Sequence, residues 1–517
     1  AAHAGNPKAA DVGFLQAENL YFLKEYAKAV PAYQKFIAAN TTHSQVNIAK
    51  LRIGESHYEQ QKWTEALKVL QPLAASKNTE PNFDRIDWMV ADCHFQTEAW
   101  DQAITFFNKF ASEKPKETNT DTALMKSALA SEKKGDPKTA IVTFEKLSNG
   151  ANYQKSIYLP NALAAIGRLQ YDAKAFPAAR AALQKVILNH ADSLMKIRAN
   201  YYLGLVALAE KKPDEAAKQF GLAANSNTKH DLAPNARLQQ GLVLMGQGKS
   251  FEAQGAFQKF VADYPAHVQI DKVIYNLGKA MKEQKQWDLA LTQFSKLAAM
   301  TKSELRDRAL YQSAWAEKMA GRPAKAMGHY VGLLTKFPQS ELLDTSTFEL
   351  AELEFESAEN GAPAQYDAAI KRLAGLVAKT KDPALRSKTH FRLGWCHFNK
   401  QSYDLAAKSF EAILDGQSPK EIVLQAAYQA GEARLKLKEF KEAMANYQKA
   451  LAADPSDKIL HEQAQLRLGE SQGLTTAWNA SETTYTKFIA KYPTHDFIRK
   501  AHLGLGWALE NQKKYAP

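Results

Sequence analysis

The chain has 517 residues, a net charge of +12 and only two cysteines, Cys93 and Cys396. A single hydrophobic core stops growing at roughly 250–300 residues, so the length demands several domains or a stacked array. Two cysteines exclude a disulfide framework or a cysteine-based zinc site, and no apolar run reaches the ~18–20 residues of a membrane-spanning helix. The lysines are dispersed along the chain, which argues for a solvated surface and against a nucleic-acid patch.

Taken in chain order, the sequence repeats itself. The opening residues 1–9 show no periodicity and are expected to form a flexible leader. The start Ala1-Ala2-His3-Ala4, without an initiator methionine, suggests a cleaved signal peptide and hence a periplasmic or otherwise exported protein, with the cytoplasm as the alternative. From about residue 10 a small residue recurs inside amphipathic segments. It falls at Ala17, Gly54, Ala91, Ala128, Gly167, Gly204, Gly241, Gly278, Ala314, Ala351, Gly394, Gly431, Gly469 and Gly506, with spacings of 36–39 except for one of 43. Twelve residues after most of these anchors comes a second small residue, as at Ala66, Ala103 and Ala253, with Ser481 in the thirteenth repeat. Four further on stands a large apolar one, as at Leu70, Phe107 and Phe257. An i, i+4 pair shares one helix face, so the small residue admits a neighbouring backbone and the ring fills the space beside it.

Between the two segments a Lys, Gly or Gln turn precedes an aromatic residue, as at Tyr26, Trp63, Trp100, Trp287, Trp478 and Tyr515. Pro115, Pro265, Pro338, Pro455 and Pro493 follow the second segment and end it, because proline cannot donate a helical hydrogen bond. Each unit is therefore predicted as helix, short turn, helix. About thirteen complete repeats and the start of a fourteenth fill residues 10–517, and the array is expected to continue past Pro517. The long spacing comes from about six extra residues near Ser357–Gln365, predicted as a loop between the helices of repeat 10.

The pattern in Trp100-Asp101-Gln102-Ala103 through Phe107, Phe110 and Pro115 resembles the tetratricopeptide repeat. The usual period is about 34, whereas this one is mostly 37. The longer unit, with Leu468-Gly469-Glu470 and the Phe488 to Pro493 ending, resembles bacterial cell-envelope members of that superfamily. The resemblance implies an all-α fold, an α-solenoid wound into a right-handed superhelix, with first helices lining a concave groove where partner segments lie.

On that basis the residue after each anchor and the one four after it are groove candidates. They are Glu18, Tyr21, Glu55, Tyr58, Asp92, Phe95, Trp315, Glu352, Trp395, Glu432, Glu470 and Trp507. Carboxylates with rings beside them would suit a basic, extended or helical peptide. Chaperone-binding members use a clamp of Lys, Asn and Arg; Glu18, Glu55 and Asp92 stand where Asn would be needed, so no clamp is expected.

No catalytic, metal or cofactor motif emerges. Cys93-His94 and Cys396-His397 are neighbours on a helix and so do not face each other, and each cysteine falls where a small residue must pack. Gly246 to Ser250 echoes a phosphate loop but has Val243 where that motif needs glycine. Glu18 to Phe22 resembles a protease tag, yet is in phase with the repeat. The expectation is a non-enzymatic scaffold that binds proteins or peptides, organising a bacterial envelope assembly. The alternatives are the repeat region of a polysaccharide exporter, with anionic polysaccharide as partner, or an array positioning an enzyme domain beyond residue 517.

Overall fold

The computed structural model describes residues 7–76, 83, 85–190, 192–416, 418–453 and 457–514. Twenty-seven α-helices and no strand occur among them. Pro455, Tyr515 and the first six residues of the expected leader lie outside the described residues. Pro7 already begins the first helix, Pro7–Phe22.

The chain divides into two compact units, residues 1–267 and 268–517. Each is an α-solenoid of helix-turn-helix repeats. In the first unit repeat 2 is typical: Val46–Glu59 carries the anchor Gly54, and Trp63–Ala75 carries Ala66 and Leu70. In the second unit repeat 8 pairs Ile270–Glu283 with Trp287–Ala299. Helices of 13–14 residues are near four turns, and they survive here because each buries its apolar face against neighbours rather than by intrinsic propensity.

The packing rule is a fixed offset of sixteen residues. Leu70 fills the space over Gly54, Phe220 that over Gly204, Phe257 over Gly241, Phe294 over Gly278, Phe410 over Gly394 and Tyr447 over Gly431. All six of these large side chains are fully buried. The second small residue lies on the same face: Ala66, Ala216, Ala253, Ala290, Ala406 and Ala443 have no exposed surface. Ser481 is equally buried and donates its hydroxyl to the Gly469 carbonyl at 2.8 Å, so a polar group is tolerated there only with a partner.

The turns use a left-handed residue seven after the anchor. It is glycine at Gly135, Gly248 and Gly321, but Lys24, Gln61, Glu98, Lys174, Lys211, Lys285, Gln401, Lys438, Thr476 and Lys513 adopt φ of 56–62° at the same place. In repeat 2 the Gln61 amide donates to the Tyr58 carbonyl and the Lys62 amide to that of His57, both at 2.9 Å. This is the Schellman arrangement, which satisfies the last carbonyls of the first helix. Gly246 to Ser250 is one such turn.

The insertion in repeat 10 divides in a way the sequence reading did not foresee. Its first helix, Leu343–Glu359, runs eight residues past the anchor Ala351, whereas Val46–Glu59 runs five past Gly54. Half of the extra length is thus helical, and the rest widens the turn around Gly361 before Gln365–Val377.

Residues that begin each repeat supply a second linkage. Ser156, Ser193, Ser303 and Ser340, like His43, His230 and His495, stand eleven before their anchors and accept the backbone N–H two residues on, at 3.1–3.2 Å. Ser156 also donates to Asp121 at 2.6 Å and Ser303 to Asp271 at 2.8 Å, tying each start to the repeat before it.

Candidate partner-binding surface

The residues one and four after each anchor lie in a row along the first helices of each unit, and the structure joins them across repeats. In the first unit the Tyr21 hydroxyl donates to Glu55 at 2.9 Å, and Tyr58 donates to Asp92. Cations from two residues before the next anchor meet the same carboxylates. Arg52 contacts Glu18 at 3.1 Å and Glu55 at 2.7 Å, and Lys126 pairs with Asp92. In the second unit Arg392 forks onto Glu352 at 2.5 and 2.7 Å, while Arg467 reaches Glu432 at 2.9 Å and Glu470 at 2.8 Å.

These carboxylates are therefore engaged with the protein's own cations. Glu55 and Asp92 are buried, and Glu18, Glu352 and Glu432 are mostly covered. Burial works against the charge of Arg52, yet Glu55 and Glu18 hold its guanidinium protonated well above the ordinary range. Burial and Glu55 push the Tyr21 hydroxyl above its ordinary range, so it stays a donor. Among the candidate acids Glu470 is the open one, with 44% of its side chain exposed.

The ring candidates are committed too. The three that stand four after their anchors pack against the aromatic that opens the second helix of their own repeat: Tyr21 on Tyr26, Tyr58 on Trp63 and Phe95 on Trp100, with centroids 5.4–5.7 Å apart. In repeats 8 and 13, where the position four after the anchor is not aromatic, the next repeat supplies the ring. Trp315 lies edge-on to Trp287 at 5.7 Å because Lys282 occupies that position, and Trp507 meets Trp478 at 5.0 Å because Gly473 does. Trp395 sits among Phe391, Phe398 and Phe410. Such ring pairs contribute about 0.5–1.5 kcal/mol beyond burial.

The partnering cations were not among the sequence-derived candidates. Their signal is a basic residue 34–35 positions after Glu18, Asp92 and Glu432 (Arg52, Lys126, Arg467), and 40 after Glu352 across the insertion (Arg392). The same row changes chemistry within the first unit. Repeats 6 and 7 place Leu205, Leu208, Leu242 and Met245 there, with Leu242 exposed. In the second unit Glu470 and Trp507 line a cleft of about 1070 Å³ together with Arg467, Tyr485, Lys500 and Leu503.

The sites with enzyme-like composition are structural. Cys93 and Cys396 are fully buried, and burial pushes both thiols up to about 12. His94 stacks on Phe106 instead of reaching the cysteine beside it. Among the described residues no cluster of three or more His, Cys, Asp or Glu suits a metal ion, and no helix is long and apolar enough to cross a membrane.

Tetratricopeptide repeat models match residues 14–81, 51–118, 364–422, 424–457, 272–299, 308–340 and 463–495, and a tetratricopeptide repeat-like domain matches residues 102–275. The chain belongs to the tetratricopeptide repeat superfamily. Its scaffold role follows from that membership: arrays of this kind bind other proteins. No curated relative matches it.

Solved structures resemble this tetratricopeptide array at low identity. Residues 41-end of MamA from Desulfovibrio magneticus RS-1 share 19% identity over 35% of this chain and 94% of that one, with a TM-score of 0.29. A tetratricopeptide repeat protein from Parabacteroides merdae ATCC 43184 shares 14% over 53% and 98%, with a TM-score of 0.34. The Naa15/Naa10 complex bound to HypK-THB shares 13% over 99% and 93%, with a TM-score of 0.37.

Proposed function

We propose that this array holds partner polypeptides along the first-helix row of each unit and organises an assembly of the bacterial envelope, as an exported, non-enzymatic protein. The observation that carries the binding surface is the row itself. Positions one and four after the anchor recur in every repeat and line up along the first helices of each unit, while the anchor faces of the same helices are consumed by packing. Contact along the strip falls on what the internal pairs leave open: the Leu242 and Met245 stretch of the first unit, and the cleft at Glu470 and Trp507 in the second. The envelope assignment is supported by the 37-residue unit and its resemblance to envelope members.

The test is a pull-down from a native bacterial envelope extract at moderate salt, with mass spectrometry of what is retained. Variants belong at open positions, Leu242→Asp and Trp507→Ala, because Glu55 and Asp92 are buried in ion pairs and their reversal would damage the fold. A defined protein set released by either variant supports the reading. Retention of polysaccharide with no protein overturns it.

A further inference from the structure

The pairing along the first-helix row is not made at every step of the second unit. In repeats 10 and 12 a carboxylate one residue after the anchor meets an arginine from the following repeat. In repeat 8 the corresponding residue is Lys279, and Lys282 stands three further on. Repeat 9 faces Lys282 with Gln312 and Trp315 and not with a carboxylate. Lys282 donates to the Gln312 side-chain oxygen at 2.8 Å, and its ammonium lies 4.3 Å from the centre of the Trp315 ring.

Neither lysine forms an ion pair among the described residues. Glu283 is exposed and follows Lys282 directly, a spacing at which helical side chains do not face each other. The contrast with the next lysine in the same register is direct, since Lys318 lies 3.8 Å from Glu349 and 3.6 Å from Glu356. Burial, with Lys279 adding to it and the nearby Glu283 only partly offsetting them, holds the Lys282 ammonium below its ordinary range, as expected for a half-covered cation with no carboxylate in hydrogen-bond contact.

We propose that Lys279 and Lys282, framed by Trp315 and Trp287, receive a carboxylate side chain from an acidic partner segment. Elsewhere in the row Arg52, Lys126, Arg392 and Arg467 meet the protein's own carboxylates at hydrogen-bond distance and Lys318 lies 3.6–3.8 Å from two of them, and here the place is left for a carboxylate from outside. The two tryptophans, edge-on at 5.7 Å, cover the methylene carbons of an aspartate or glutamate and an apolar residue beside it. A polypeptide fits this frame because it supplies charge and adjoining apolar surface together. The inference rests on the first-helix row being the partner-binding surface.

The experiment uses the full chain and an acidic peptide labelled at its N-terminus, fluoresceinyl-Gly-Glu-Asp-Phe-Glu-Gly-amide, with its Gln/Asn counterpart as control, read by anisotropy and by tryptophan quenching. The expected result is saturable binding of the acidic peptide, weakened tenfold or more by Lys279→Met with Lys282→Met, and unchanged by Lys296→Met on the exposed side of the same repeat. Methionine keeps the length and helix propensity of lysine, so circular dichroism and melting should match the parent protein. Failure of the acidic peptide to bind, equal binding of the amide peptide, or equal binding by the double variant overturns the inference. So does binding of polygalacturonate in place of the peptide. Pull-downs with the same double variant separate the two readings: partners retained undiminished leave the scaffold standing and overturn only the lysine site, whereas no retention by the parent protein overturns both.

Discussion

Phe294 lies so close over Gly278 that a methyl group on the glycine would sit 2.5 Å from the ring. Both residues are walled in by the repeat, so the clash has no flexible end to absorb it. Gly278→Ala should destabilise the second unit by about 1–3 kcal/mol, the cost of overpacking. Gly332 stands inside the helix Pro323–Lys336 off the anchor position, and nothing lies within 4 Å of its would-be methyl. Gly332→Ala should leave stability unchanged or raise it by roughly 0.5–1 kcal/mol through helix propensity. Chemical denaturation of the two variants in parallel checks the offset rule, and equal losses would refute it.

Arg52 joins two repeats through Glu18 and Glu55, all three largely covered. Arg52→Met strands two carboxylates and should cost roughly 2–4 kcal/mol locally. Adding Glu18→Gln and Glu55→Gln should recover much of that loss, since the stranded charges go with it. Hydrogen exchange across repeats 1 and 2 reads both effects.

Lys174 holds φ at 60° in an exposed turn. A left-handed conformation costs a non-glycine residue about 1–2 kcal/mol, part of which glycine gives back as lost unfolded-state entropy. Lys174→Gly should therefore stabilise by roughly 0.5–1 kcal/mol, and Gly248→Lys, at φ of 72°, should cost a similar amount. Thermal melts of both variants test the pair.

Burial lowers the basicity of His57, His94, His329, His390 and His397. Their unfolded forms take up protons first as pH falls below about 6.5, so the unfolded state then binds more protons and stability drops. The stability they contribute is complete above that pH and is lost as pH falls through their lowered folded values. Urea midpoints should decline from pH 7.5 to pH 5.5, and His390→Gln should flatten the decline. A midpoint that rises over this range would contradict the assignment.

Cys93 and Cys396, buried with thiols pushed up to about 12, should not react with iodoacetamide in the native protein near neutral pH. Both should label fully in urea, and native labelling as fast as that of free cysteine would show that the first helices of repeats 3 and 11 open readily.

The fold was legible because its signal is periodic. Gly54 and Leu70, or Gly431 and Tyr447, are a local pair, and their recurrence along the chain exposes the packing face without tertiary information. The turns were less so, since ten of the left-handed positions carry lysine, glutamine, glutamate or threonine, none of which announces positive φ. The candidate site was legible only in position. Glu55 and Asp92 read as free acids because their partners, Arg52 and Lys126, lie in the background of a lysine-rich chain and acquire meaning only at one register.

By itself, then, the sequence determined the all-helical repeat, its register and its buried face, because helix periodicity and small-to-large complementarity operate within a few turns of chain. What the tertiary structure decided was charge. Whether a carboxylate or a lysine on the first-helix row is spent or available depends on the residue brought opposite it by the next repeat, some 34 positions away. That juxtaposition neutralised Glu18, Asp92, Glu352 and Glu432, helped cover Glu55, left Glu470 half-exposed with only Arg467 of its own helix, and set Lys282 against Trp315 and Gln312.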